Sequence, residues 1–390
     1  MSHHFRPTRA TIDISALRHN LQQVRRLAPK SRVMAVIKAN GYGHGLLTVA
    51  KALHQADGFA VASLDEALQL RQAGFLHPIL LLEGVYSEAE WSWVFQHRID
   101  TVIHHFQQLE TLDQAWRNRN HLNKPQNPNP KVAVKNAKNP SPAVNGYGYP
   151  TLWIKCDTGM HRLGFAADEV PALKQRLQQW SGLNTVWMSH FATADEDLSF
   201  ARQQLDCFVQ LAPQQATKSM ANSAAIQNLP ESHLHWVRPG IMLYGAADNR
   251  LINSTDISHF KPAMTFETQV IALKPLQPGE CVGYGCDFTA EKTMLLAVLA
   301  VGYGDGYPRT VANHPDASVS YHHQRLPIVG RISMDMMTVD ASSVAEQIRV
   351  GDWVELWGKH LPVQEVAKWA QTISYELVTG LTQRVPRISG

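Results

Sequence analysis

Chemistry is concentrated where apolar runs end. In "SRVMAVIKANGYGHG" (Ser31–Gly45), the run Val33–Ile37 reads as a strand buried on both faces. It delivers Lys38 to its tip, followed by Asn40 and Tyr42 among glycines 41, 43 and 45. An amine set beside backbone that other groups can approach closely is placed for work on a bound ligand. Similar residues follow other apolar runs: Lys155, Asp157 and Arg162 after "TLWIK", and His190 after "TVWMS". Asn222 and Ser223 follow "TKSMA", and Arg238, Gly240 and Ile241 lie at "HWVRPGI". Singly, a lysine or histidine after a strand is usually solvated or a satisfied hydrogen-bonding residue. Converging on one rim, they make a site.

The small and hydroxyl residues of "ANSAA" and the open backbone at Gly240 suit a phosphate. Phosphate beside a strand-tip lysine suggests pyridoxal 5'-phosphate, whose aldehyde takes an amine as a Schiff base. At its reference pKa a lysine is neutral only about 0.04% of the time at pH 7, a deficit of about 4.6 kcal/mol, so burial or neighbouring cations must favour the amine. Arg238 offers only donors; facing the pyridine nitrogen, it would leave that nitrogen unprotonated and a weaker electron sink. Such a site favours moving an α-proton over transamination.

These residues need an element pattern that gathers strand ends. "ISALRHNLQQVRRLA" has helical spacing, with Ile14, Leu17, Leu21 and Val24 on one face. Strand-like runs then alternate with helical ones: "VMAVI", "GFAVA", "PILLL", "DTVIH", "TLWIK", "TVWMS", "TKSMA" and "HWVRP". Eight such units in about 230 residues predict an α/β fold, a TIM-like (β/α)8 barrel over residues 12–259, whose functional face is the C-terminal end of its strands. A doubly wound open sheet is the competing reading of the same alternation. The Asn- and Pro-rich segment at about 117–148 is too poor in apolar residues to order itself and reads as a flexible insertion. From 260 to 390, short strand-like runs broken by turns such as "QPGE" and "GYGDGYP" predict a mainly β second domain.

Composition limits the partners. A formal net charge of +3 with no basic run gives nucleic acid nothing to hold. No segment nears the roughly 18 apolar residues of a membrane span, and "MSHHFRPTRA" has no apolar signal core, so the expected location is the cytoplasm. The four cysteines form no CxxC pair and are expected as reduced thiols. Nineteen histidines fall in no HExxH or Cys/His ligand spacing, and no metal is expected.

The chain resembles the alanine racemases, the fold-type III pyridoxal phosphate enzymes. The resemblance runs from "RATIDISALRHNL" to "QRVPR" through "AVIKANGYGHG", "IKCDTGMHRLG", "SHFATAD", "MANSAA", "RPGIMLYG", "VGYGCDF", "VGYGDGYPR", "GRISMDMMTVD" and "ISYE". It implies interconversion of L- and D-alanine, supplying D-alanine for peptidoglycan or allowing its breakdown. Lys38 would be the Schiff-base lysine and one base, and Tyr284, reaching in from the other subunit of a homodimer, the opposite base. The cofactor phosphate would be held by Tyr42, Ser223, Gly240, Ile241 and Tyr375, with Asn222 and His190 alongside and Arg238 on the pyridine nitrogen. Arg162 would meet the cofactor's ring hydroxyl and the substrate carboxylate, oriented by Lys155, which the family suggests is carbamylated. Met334, beside Asp335, matches the partner-subunit loop that meets the carboxylate through backbone N–H. Tyr303 matches an entrance tyrosine that, with Tyr375, narrows the pocket toward a methyl group. Asp195, Arg309 and Arg331 match an entry corridor, and structural ion pairing explains those three equally well. The competing readings are a racemase of broader specificity, an amino-acid decarboxylase and a non-catalytic pyridoxal phosphate carrier. The second domain with Tyr284 argues against the carrier, and the ordered glycine–tyrosine motifs argue against the decarboxylase.

Overall fold

The computed structural model describes residues 5–122, 149–180, 183–247 and 259–390. They divide into two compact units, one built from the N-terminal stretch up to Gln23, Ala39–His54 and Ile241–Gly390, the other from Val24–Lys38 and Gln55–Gly240.

A short strand β1 (Thr8–Ile12) precedes the helix Ile14–Leu27. The second unit is a closed barrel of eight parallel strands: β2 (Arg32–Val36), β3 (Gly58–Val61), β4 (Ile79–Leu81), β5 (Asp100–Ile103), β6 (Leu152–Lys155), β7 (Thr185–Met188), β8 (Thr217–Ser219) and β9 (Trp236–Val237). Every strand expected from the sequence is present, and β9 closes on β2 through Arg32↔Trp236 and Val33↔Val237. Barrel strands are covered on both faces, and for that reason they read as continuous apolar runs: Val33–Ala35, Phe59–Val61 and Ile79–Leu81 are all buried. The open-sheet reading falls with the closure. The helix Phe106–Leu122 takes in the first residues of the Asn- and Pro-rich segment, and residues 123–148 lie outside the described residues.

The other unit is mainly strand. β10 (Met264–Leu276) alternates buried and part-buried residues from Met264 to Val270, as one half-covered sheet face requires. After it come β11 (Cys281–Val282), β12 (Phe288–Thr289), β13 (Met294–Leu299), β14 (Ser318–Tyr321), β15 (Gln324–Pro327), β16 (Met337–Asp340), β17 (Trp353–Trp357) and β18 (Arg387–Ser389). The sheet runs β15-β14-β17-β10-β1-β18, with β13 on β10 and β16 on β13. β1 turns Thr8, Ala10 and Ile12 inward against β10.

One expectation is corrected. Cys281 and Cys286, read as free thiols, form a disulfide, with Cα atoms 5.1 Å apart. The β11–β12 hairpin is the reason: Gly283 (φ 71°) and Gly285 (φ 78°) fold its tip back on itself and bring the cysteines together. Cys156 and Cys207 are free. No helix among the described residues is long and apolar enough to cross a membrane.

Candidate active site

Lys38 leaves the barrel just past β2, where the amide of Ile37 donates to Ala60 O at 2.9 Å. The backbone then turns left-handed at Ala39 (φ 53°), Asn40 (φ 56°), Gly41 (φ 62°) and Tyr42 (φ 50°). Each non-glycine residue there costs roughly 1–2 kcal/mol, so the surroundings must impose the turn. Bonds from Gly43 N to Ala39 O and Gly45 N to Asn40 O, both 2.9 Å, close it, and the Asn40 side chain accepts from Leu46 N at 2.8 Å. Gly43 is obligatory: a Cβ there would lie 1.9 Å from Val378 O.

Four cationic side chains of the barrel unit gather at the strand tips. Arg238 is 3% exposed; it donates to Ser219 Oγ and Ser189 O at 2.6 Å each and to Met220 O at 3.2 Å. Burial lowers its pKa to about 10, so it remains a guanidinium. Its fourth contact is His190 Nδ1 at 3.2 Å. Arginine can only donate, so Nδ1 is the acceptor and the neutral ring carries its proton on Nε2. Burial first, then the charges of Arg238, Lys155, Arg162 and Lys38, hold the His190 pKa well below its ordinary value. The imidazole is therefore neutral.

Lys155, at the end of β6, is buried. Burial and the charges of Arg238 and Arg162 bring its pKa down to about 8, with Asp157 opposing. Asp157 itself staples its loop, accepting from the amides of Gly159, Met160 and His161 at 3.0–3.2 Å. Burial works to raise its carboxyl, and those bonds and His161 outweigh it and leave it lowered. Arg162 is exposed and bears on Lys155 and His190 through charge. On the far strands, Ser223 Oγ accepts from Gly240 N at 2.9 Å, and Asn222 caps the short helix Ser223–Asn228 by accepting from Ala225 N at 3.0 Å. The rim thus carries an excess of positive charge and unusually deep cations, a setting for an anionic ligand.

The remaining residues belong to the other unit. Tyr42 stacks on Tyr244 with centroids 4.7 Å apart and meets Tyr375 at 6.0 Å. Burial, then Tyr375, raises the Tyr42 phenol, which stays protonated and can donate. Ile241 opens the turn Ile241–Tyr244, and Tyr375 sits in the first turn of the helix Ser374–Gly380. Tyr284 tops the disulfide-closed hairpin, 72% exposed. Arg331 pairs with Asp287 beside it, and a Cβ on Gly285 would lie 2.8 Å from its guanidinium. Met334 and Tyr303 are exposed at 53% and 42%. Asp195 and Arg309 are exposed, in different units.

Ser189, Ser219 and Tyr244 were not singled out in the sequence, yet two of them hold Arg238 and one backs Tyr42. The signal was present for Ser219, whose hydroxyl ends the run "TKS" inside a buried barrel and has to find a buried partner, whereas Ser189 accepts through its backbone carbonyl, which no side chain announces.

Comparison with known proteins agrees across the whole chain. The family model described as "Alanine racemase, N-terminal domain" matches residues 12–248, and that described as "Alanine racemase, C-terminal domain" matches residues 263–389. The alanine racemase of Nitrosomonas eutropha is 44% identical over 392 residues, covering 99% of both chains. The crystal structure of the biosynthetic alanine racemase from Pseudomonas aeruginosa superposes with a TM-score of 0.85 at 39% identity, covering 99% of this chain and 100% of that one. The Bartonella henselae alanine racemase, solved with covalently bound pyridoxal phosphate, gives a TM-score of 0.82 at 29% identity over 98% and 99% of the two chains.

Proposed function

The chain belongs to the alanine racemase family, and from that premise we propose that it interconverts L- and D-alanine with two bases, Lys38 on one face of the substrate and Tyr284 of a partner copy on the other. The observation that carries the reading is the barrel rim, where Lys38, Lys155, Arg162 and Arg238 all press on a neutral His190. That charge suits pyridoxal phosphate. Lys38 would hold its aldehyde, Arg238 its ring nitrogen, and Ser223, Gly240, Ile241, Tyr42 and Tyr375 its phosphate, beside Asn222 and His190. When bound, the cofactor supplies an aldehyde for the amino group and a ring that draws electrons from the α-carbon.

The remaining work falls to the protein. Arg238 has no lone pair to take a proton, and its bonds to Ser219, Ser189, Met220 and His190 keep it fixed and charged. The Lys38 amine takes or returns the α-proton on its face. The Tyr284 phenol does so on the other, and the Nε2–H of His190, aimed by Arg238 on the far nitrogen, would donate to its oxygen. Arg162 and the Met334 amide hold the substrate carboxylate, while Tyr303 and Tyr375 restrict the side chain to a methyl. A Lys155 amine titrating at about 8 has a neutral fraction near physiological pH. It can add to carbon dioxide, forming a carbamate and releasing a proton, and that anion would pair with Arg162.

A homodimer with shared sites follows from the same reading, and the exposure of Tyr284, Met334 and Tyr303 on the single chain supports a covering copy. The test is incubation of the cofactor-loaded protein with L-alanine in D₂O. Appearance of D-alanine carrying deuterium at the α-carbon is expected; unchanged chirality and an unexchanged α-proton would overturn the proposal.

A further inference from the structure

The turn that carries Tyr303 and the loop that carries Met334 are tied to each other by groups with no role so far. Asp305 closes the turn Tyr303–Asp305, and its carboxylate is 0% exposed. Arg6, from the stretch before β1, grips that carboxylate with both arms of its fork, Nε to Oδ1 at 3.0 Å and a terminal nitrogen to Oδ2 at 2.6 Å. The same terminal nitrogen donates to Asp335 O at 2.7 Å, one residue past Met334. Arg384 makes a second bridge, 3.4 Å from Asp305 and 2.5 Å from the Asp335 carboxylate.

The backbones under this bridge touch. Tyr303 N donates to Ser333 O at 3.1 Å and Gly304 N to Met334 O at 2.8 Å. A Cβ on Gly302 would lie 2.2 Å from Ser333 O and 2.4 Å from Met334 O, so only glycine allows the approach. The Met334 carbonyl is thereby fixed, while its own N–H meets no acceptor among the described residues. Two arginines and two aspartates cancel in charge, and the fork on Asp305 is the geometry that gives a carboxylate–guanidinium pair directional strength.

We propose that Arg6, Asp305 and Arg384 form a positioning clamp that sets where the Met334 amide and Tyr303 stand, and so governs how tightly the substrate carboxylate is held. None of the three touches substrate. The inference rests on the proposed reading of Met334 and Tyr303.

The experiment compares Arg6→Ala and Arg6→Lys with the wild-type holoenzyme by steady-state kinetics on L-alanine and by hydrogen exchange. In Arg6→Ala, faster exchange confined to peptides spanning 302–306 and 333–336 is expected, with KM for alanine raised about tenfold and kcat lowered less than about threefold. Added guanidinium ion should restore KM, and Arg6→Lys, which keeps charge without the fork, should fall between. Unchanged exchange in both segments overturns the clamp. Faster exchange with an unchanged KM reduces it to a structural staple and overturns the positioning role. A wild-type enzyme without alanine turnover defeats the reading of Met334 itself, while the exchange result still decides whether the clamp exists.

Discussion

At the residue scale, the site is an exercise in keeping groups in the protonation state their work needs. His190 is the pivot: four cations around it would each be weakened by a fifth, and it resolves the conflict by remaining neutral, accepting from Arg238 on Nδ1. That leaves one proton, on Nε2, free to be donated to the phenol of the proposed mechanism. The role given to Tyr284 then has a directional consequence. In Tyr284→Phe, solvent exchange of the α-proton of D-alanine, which needs only Lys38, should persist, while exchange from L-alanine falls by two or more orders of magnitude, a loss typical of a missing general base. Racemisation itself must fall equally in both directions, because the enantiomers are equal in energy. NMR of the α-proton in D₂O reads both, and equal small losses of exchange from the two enantiomers would remove Tyr284 from the mechanism. Most of these residues were legible, because a polar side chain just beyond an apolar run in an alternating pattern marks a barrel rim. Ser189 and Ser219 were not singled out, since their partner, Arg238, comes from a strand far away in sequence.

At the element scale, the barrel was legible to the strand and the second unit only in outline. Parallel strands covered on both faces announce themselves as apolar runs, and each of the eight was found. β1 and β18 were not, because five- and three-residue strands have too little period to read and are defined by pairing, Ala10 with Phe266 on one side and Arg387 on the other. The glycines after Lys38 signalled close approach, but a left-handed turn through Ala39, Asn40 and Tyr42 is imposed by tertiary structure and has no signature of its own. The disulfide was missed for a similar reason: a five-residue separation brings two cysteines together only if the glycines fold the hairpin tip. The turn makes a firm prediction. Gly43→Ala would drive a methyl into Val378 O, and neither backbone segment can yield cheaply. A loss of about 3 kcal/mol or more is expected in urea unfolding. An unfolding midpoint within experimental error of wild type would show that the helix Ser374–Gly380 is free to move away.

At the scale of the whole molecule, buried histidines couple stability to pH. His44 is 1% exposed, and its Nδ1 donates to Tyr42 O at 2.7 Å. Burial, reinforced by Arg387 and opposed by that bond, brings its pKa from 6.5 down to about 4. The unfolded chain therefore binds a proton that the folded one refuses, and stability is lost as pH falls from 6.5 to about 4, by roughly 3 kcal/mol in total. His190, also lowered, adds to the loss. Asp100 works the other way: burial raises it to about 6 against its bond from Thr151 N, so the folded chain gains a proton first and recovers stability below that pH. The contributions separate by substitution. His44→Gln cannot charge, and its stability relative to wild type should improve steadily from pH 7 to pH 4.5; parallel profiles would mean that His44 is solvated in the folded state. The central claim, one site built from Lys38 of one chain and Tyr284 of another, is tested most directly by complementation. Lys38→Ala and Tyr284→Phe are each expected to be inactive in racemisation, and a mixed dimer of the two would contain one intact site out of two. Random pairing of the co-expressed variants is expected to restore about a quarter of wild-type racemisation. Mixed dimers, isolated with two different affinity tags and loaded with cofactor, that still fail to racemise alanine would contradict it.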